Sequence, residues 1–207
     1  MYVEYIYVCL VAPLVIAIGL LKGNTRQFVL FFTIGLTTCL LSGYINSYLT
    51  SLLSMDAVEA SFKLIPIVEE CVKALPVLLY LMMRPAGRDD LAANALGVAL
   101  GFATRENCSF IVQYGMSGLG LALVRGIAPA VKHAICASIL AYGLTFLRKQ
   151  GTIMVLGIFS ILCATATFHA TYNLLVSASS MPWVQIAGYL LPILAAGGLL
   201  LVNESAA

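Results

Sequence analysis

Long apolar runs recur along the whole chain, and they constrain its fold more than any other feature. Each run is about 20 residues long, the length that an α-helix needs to cross the hydrocarbon core of a bilayer. Seven runs can be placed, at residues 3–21, 27–48, 63–83, 91–113, 128–147, 152–177 and 183–202. The chain is 61% hydrophobic and 10% charged, whereas a soluble domain carries about 25% charged residues. The sequence therefore predicts an all-α, polytopic membrane protein with about seven transmembrane helices.

The composition gives no sign of a second domain. No proline- or serine-rich linker, charge block or low-complexity segment interrupts the 207 residues, so we expect one integral-membrane domain over 1–207. The first run lacks a basic leader and a small-residue cleavage site, and we expect a retained helix. The net charge of +2 is too small to suggest nucleic-acid binding. The six cysteines form no CxxC pair and are interpreted as small apolar residues.

Basic residues in the loops predict the orientation in the membrane. The loops after the first, third and fifth runs carry six of them, namely Lys22, Arg26, Arg84, Arg88, Arg148 and Lys149. The other side carries three, namely Lys63, Arg125 and Lys132. Because basic residues are enriched in cytoplasmic loops, we expect the N-terminus outside and the C-terminus in the cytoplasm. The glycine-rich segment 114–126 is too short to span, and we expect it in the outer interface.

Several polar side chains lie inside the apolar runs, where each charge costs at least about 2.5 kcal/mol. The set comprises Glu69, Glu70, Lys73, Asn94, Arg105, Glu106, Asn107, Lys132, His133, His169 and Asn173. It includes both histidines of the chain. Residues counted from the ends of the runs, at 1.5 Å of rise each, place five of these side chains roughly 8–12 Å below one surface. These five are Glu69, Glu70, Glu106, His133 and His169. Such convergence of ionisable groups favours a functional site.

The remaining polar residues suggest supporting roles. Lys73 follows Glu69 by four positions and Glu70 by three, so it can pair with either carboxylate. We expect Arg105 to be a charge partner for a glutamate. For Asn94 and Lys132 we expect only helix–helix pairing or a side chain that extends to the membrane surface.

Carboxylates gathered with imidazoles have three uses in a membrane. Two histidines and a glutamate are ligand types of a catalytic zinc ion. A buried carboxylate can instead activate a water by general base catalysis. The same groups can also relay protons or ions in a transporter. The sequence contains no HExxH, GxSxG or phosphate-loop motif and no evident serine or cysteine nucleophile.

Four stretches carry a family resemblance. They are EECVK at Glu69–Lys73, GFATREN at Gly101–Asn107, KHAICASILAYGL at Lys132–Leu144 and FHATYNLLV at Phe168–Val176. In order and spacing they resemble the motifs of the PrsW family of intramembrane proteases, and they lie within about 63–178. One departure is Lys132, at a position where that family often has glycine. The wider superfamily also includes non-catalytic scaffold subunits.

The resemblance implies hydrolysis of a single-span membrane protein near its extracytoplasmic side, for example an anti-sigma factor, in a bacterial inner membrane. The implied catalytic residues are Glu69, Glu70, Glu106, His133, His169 and Asn173, with Lys73 and Arg105 in support. Either Glu69 or Glu70 would activate the water; Glu69 is slightly favoured, with Glu70 oriented by Lys73 or Arg105. Asn173 would donate a hydrogen bond to His169 or to the oxyanion.

Two mechanisms and two other functions stay open from the sequence. The histidines either stabilise the oxyanion without a metal or bind Zn²⁺ with a glutamate, and His133, His169 and Glu106 are the candidate ligands. The metal-free mechanism is slightly favoured because no tight His-x-x-x-His spacing is present. An ion-coupled transporter is disfavoured because no internal repeat is visible. A non-catalytic membrane scaffold is the other alternative.

Overall fold

The computed structural model describes residues 2–84, 87–115, 118–148, 150–151 and 153–205, and these residues form eight α-helices and no β-strand. The helices are α1 (Tyr2–Leu20), α2 (Gly23–Leu52), α3 (Ala57–Lys63), α4 (Ile65–Met83), α5 (Arg88–Tyr114), α6 (Leu119–Leu147), α7 (Ile153–Val176) and α8 (Pro182–Ser205). The predicted all-α class is confirmed for the described residues.

Each of the seven predicted runs corresponds to one long helix, and the short α3 is an addition. Helix α6 begins at Leu119, nine residues before the predicted run at 128. Residues 119–126, which we expected in the interface, are therefore the first turns of α6, because glycine is tolerated in membrane helices. Met116 and Ser117 of that segment lie outside the described residues, as does Lys149 of the orientation argument.

Three of the described helices, α2, α6 and α7, are long and apolar enough to span a membrane by length and composition alone. Helix α4 falls short because Glu69, Glu70 and Lys73 lie within its 19 residues. Helix α5 likewise begins with Arg88, Asp89 and Asp90 and carries further charges near its end. The predicted total of about seven spans is not confirmed and stays a prediction.

Helices α2 and α5 touch through their backbones. A Cβ atom at Gly101 of α5 would collide with the carbonyl oxygen of Phe32, and one at Gly35 of α2 with the carbonyl oxygen of Val98. Small residues allow such close helix contact in membranes, where apolar side chains alone give little drive for association. The contact at Gly101 lies about one and a half turns before Glu106 on α5, so it also fixes the position of the Glu106 carboxylate.

The apolar core lies between α4, α5 and α6, below the polar side chains. It includes Val77 of α4, Leu91 and Val98 of α5, and Leu144 of α6, all at most 1% exposed. Asn94 borders it and accepts a hydrogen bond of 2.9 Å from Gln27 Nε2 of α2, which agrees with the helix-pairing role expected for it. The buried glutamates and histidines lie beyond this core, where α4 begins and where α5 and the neighbouring α7 approach their ends.

Candidate active site

Four helices bring a set of ionisable side chains into direct contact. Its members are Glu69, Glu70 and Lys73 of α4, Glu106 of α5, Lys132 and His133 of α6, and His169 of α7. We call this set the polar cluster. Its side chains are buried except for that of Glu106, which is 30% exposed, so the cluster opens at this residue. The five residues that the sequence places at one depth are brought together.

His133 lies between a carboxylate and an ammonium group. Its Nε2 is 2.7 Å from Glu106 Oε2, and its Nδ1 is 2.7 Å from Lys73 Nζ. An ammonium has only donors, so Nδ1 accepts from Lys73 and the Nε2–H group donates to Glu106. Phe102, one turn before Glu106 on α5, packs against the imidazole with ring centroids 5.1 Å apart. Packing and hydrogen bonds together fix the ring.

His169 repeats the same arrangement. Its Nδ1 is 2.7 Å from Glu70 Oε1, and its Nε2 is 2.6 Å from Lys132 Nζ. By the same reasoning, Nδ1–H donates to Glu70 and Nε2 accepts from Lys132. The two imidazoles meet edge to face, with centroids 5.2 Å apart. Each histidine therefore carries a carboxylate on one nitrogen and a lysine on the other.

The adjacent carboxylates Glu69 and Glu70 have different surroundings. Glu70 Oε1 accepts from Lys73 Nζ at 2.6 Å as well as from His169, so this carboxylate is held by two charge-assisted bonds. Glu69 Oε2 is buried and has no hydrogen-bond partner within the described part of the chain. It lies 3.7 Å from His169 Nε2, which is too far for a hydrogen bond. Glu69 is the carboxylate with an oxygen left to bind a further group.

Metal-ligating atoms also meet in the cluster. Glu69, His133 and His169 each offer one atom, and the three atoms lie within 4.8 Å of one another. Two histidines and a glutamate form a ligand set of catalytic zinc sites, and metal-binding histidines commonly donate their other N–H to a carboxylate. The unpartnered Glu69 Oε2 fits the need for a third donor. The predicted set contained Glu106 in place of Glu69. Glu106 is turned to the Nε2 atom of His133, and the predicted set with Glu106 stays a prediction.

Two predicted residues lie elsewhere. Asn173 does not bond to His169; its Nδ2 donates to the backbone oxygen of Ser61 at 2.8 Å and so ties α7 to α3. Arg105 bonds to Ser109 within α5. It lines a cavity of about 310 Å³ that α5 forms with α1 and α2, because adjacent helical residues point about 100° apart and Glu106 takes the cluster side.

Lys132 is a member of the polar cluster that the sequence analysis did not predict. We expected this side chain to pair helices or to extend to the surface. It is 1% exposed and pairs α6 with α7 through His169, inside the polar cluster. Its Nζ also lies 5.0 Å from the centroid of the Tyr172 ring. The available signal was its position beside His133: a helix packed between α5 and α7 presents consecutive residues to different neighbours.

The polar cluster combines buried carboxylates, imidazoles and ammonium groups with one unpartnered carboxylate oxygen among the described residues. Such an arrangement is compatible with a membrane enzyme. The chain matches the family model described as PrsW family intramembrane metalloprotease over residues 23–197, and it belongs to that family. It is therefore an integral-membrane protease. The chain matches no curated protein and no solved structure.

Proposed function

We propose that this protease is an endopeptidase that cuts a single-span, membrane-anchored protein, such as an anti-sigma factor, near the outer face of a bacterial inner membrane. The basic loops support an outside N-terminus. With that topology, the start of α4 and the ends of α5 and α7 lie on the outer side, which is where the polar cluster sits. A substrate helix would present its first extracytoplasmic residues at this depth.

The observation that carries the proposal is the difference between Glu69 and Glu70. Glu70 is committed to Lys73 and His169, whereas Glu69 has a buried oxygen without a partner among the described residues. We assign Glu69 as the general base. It takes a proton from a water whose oxygen attacks the scissile carbonyl carbon, and the same proton passes to the leaving nitrogen as the C–N bond breaks.

The remaining members of the cluster stabilise the transition state. The oxyanion that forms on the scissile carbonyl gains negative charge, and both histidines carry a lysine ammonium on one nitrogen. Fixed positive charge in a water-poor site stabilises an oxyanion strongly, because nothing needs to reorient during the reaction. Glu70 and Glu106 hold the two imidazole rings in place from the opposite nitrogens.

The donor set also fits a zinc ion, which Glu69, His133 and His169 would hold. When bound, the metal would supply Lewis-acid polarisation of the scissile carbonyl. Elemental analysis of the purified protein, before and after a strong chelator, separates the two mechanisms. One zinc per chain, lost together with cleavage, supports the metalloprotease. Full cleavage with far less than one metal per chain supports the metal-free mechanism.

Cleavage of a single-span test substrate in proteoliposomes tests the proposal. We expect Glu69→Gln to lower the rate by roughly 10²- to 10⁴-fold, the usual contribution of a general base. Glu59→Gln is the matched control, since Glu59 is a partly exposed glutamate on α3, outside the cluster, whose side-chain partner is Lys63. Normal cleavage by the Glu69 variant would refute the base assignment. A pH-dependent solute flux without any cleavage would support the transporter instead.

We further propose that all seven long helices span the membrane as one domain over 1–207, with its motif core at about 63–178. Cysteine labelling tests this topology in a background without the native cysteines. A cysteine at Ser54, between α2 and α3, should react with a membrane-impermeant maleimide from outside the cell. A cysteine at Lys22, between α1 and α2, should not. The reverse pattern would invert the orientation.

A further inference from the structure

In both histidines of the polar cluster, one ring nitrogen contacts a carboxylate and the other ring nitrogen contacts a lysine. In zinc sites, a histidine commonly places one nitrogen on the metal and the other N–H on a carboxylate. Here Glu70 takes Nδ1 of His169, and Lys132 Nζ stands 2.6 Å from Nε2. Nε2 is also the nitrogen 3.7 Å from Glu69 Oε2. The lysine thus stands where the arrangement of a zinc site would put the metal.

We propose that the Lys132 ammonium occupies the coordination position of His169, so that a divalent cation binds Glu69, His133 and His169 only by displacing it. Zinc sits about 2.0–2.1 Å from a histidine nitrogen, along its lone pair. That nitrogen has one lone pair, and it is already directed at Lys132 Nζ. The two cations therefore exclude each other, and Lys132 sets the metal affinity of this site.

The surroundings of Lys132 make displacement costly. The side chain is 1% exposed, and its Nζ lies 5.0 Å from the centroid of the Tyr172 ring, a favourable position for a cation. Lys73 likewise occupies the lone pair of the other histidine, 2.7 Å from His133 Nδ1, so a metal ion that uses this nitrogen has to displace a second ammonium group. Two lysines already offset much of the negative charge of the three cluster glutamates. A divalent cation therefore gains less binding free energy here than in a site built from carboxylates and imidazoles alone.

The inference concerns metal affinity and does not require that the chain cleave a peptide. Zinc affinity is measured on the purified, full-length protein in detergent by competition with a chromophoric chelator. We expect Lys132→Leu to bind zinc about 10- to 100-fold more tightly than the wild type, the size typical of changes beside a metal ligand. Lys63→Leu removes an exposed lysine outside the cluster and should bind zinc like the wild type. Lys132→Arg keeps the cation and should also resemble the wild type.

Two further measurements keep the inference testable. Adding His169→Gln to Lys132→Leu should abolish the gain, because the freed nitrogen is then lost. Lys132→Ala removes the same ammonium and is measured alongside in case the leucine variant does not fold. If neither variant folds, the absorption spectrum of Co²⁺ added to the wild-type protein gives the decisive result. Weak, non-tetrahedral Co²⁺ binding supports the inference. Tight tetrahedral binding by the wild type, or equal zinc affinity with and without Lys132, overturns it.

Discussion

The neighbouring glutamates of α4 should respond in opposite ways to the same substitution. Glu70→Gln removes the charge that compensates Lys73 and weakens the bond to His169, at 2.6 and 2.7 Å respectively. Glu69→Gln changes a carboxylate whose Oε2 has no hydrogen bond within the described residues. Both side chains are buried and adjacent, so each variant is the matched control for the other.

The contacts set the expected magnitudes. Removing one partner of a buried ion pair costs about 3–5 kcal/mol, and glutamine keeps one acceptor oxygen, so we expect a loss near the lower limit, about 3 kcal/mol, for Glu70→Gln. For a chain of this size, 1 kcal/mol corresponds to about 2–4 °C in Tm, which gives a fall of roughly 6–12 °C. Glu69→Gln breaks no hydrogen bond at Oε2, and it removes a buried charge. The free energy of unfolding of this variant should therefore stay within about 1 kcal/mol of the wild type.

Thermal unfolding in detergent, followed by circular dichroism, measures both Tm values, and cleavage is measured on the same samples. The Glu69 variant should be folded and inactive, whereas the Glu70 variant should be destabilised. Adding Lys73→Met to Glu70→Gln should cost less than the sum of the single changes, because the two residues form one pair. Equal Tm values for the two glutamine variants would refute this account of the site.

Three other substitutions test separate features. Gly101→Ala should destabilise the α2–α5 contact by about 1–3 kcal/mol in thermal unfolding, because its Cβ meets backbone, whereas Gly43→Ala, with nothing within 4 Å, should be tolerated. Asn173→Ala should lose about 0.5–1.5 kcal/mol with its bond to Ser61 while the cleavage rate changes less than fivefold; a 100-fold loss would return Asn173 to the catalytic set. Glu106→Gln leaves an acceptor for the histidine it contacts, so cleavage should fall by less than in the Glu69 variant, and an equal loss would contradict the base assignment.

The sequence was sufficient for the elements that depend on long apolar runs. Each of the seven runs became one helix, because a run of about 20 apolar residues buries its backbone polar groups best as a helix. The short α3 escaped notice because seven residues give no clear period. The local sequence nevertheless marks where α3 begins. Asp56 caps its N-terminus and accepts a hydrogen bond of 2.8 Å from the backbone N–H of Glu59.

The site could be predicted as a set but not as a bonding pattern. Depth along a helix follows from counting residues, so Glu106, His133 and His169 could be expected at one level. Which atom of a side chain meets which partner depends on the rotation of each helix about its axis. Linear position does not determine that rotation. For this reason Glu106 was chosen in place of Glu69 as the candidate zinc ligand, and Lys132 was not predicted as a cluster residue.

The bonds of the polar cluster also order events during synthesis of the chain. Lys73 lies three residues after Glu70, so their ion pair can form as soon as α4 is helical. His169, the other partner of Glu70, is 99 residues further along. At about 5–20 residues per second, a ribosome makes it roughly 5–20 s later. Throughout that interval Glu70 lacks the N–H donor of His169, so its hydrogen bonds in the cluster are completed only by the last third of the chain.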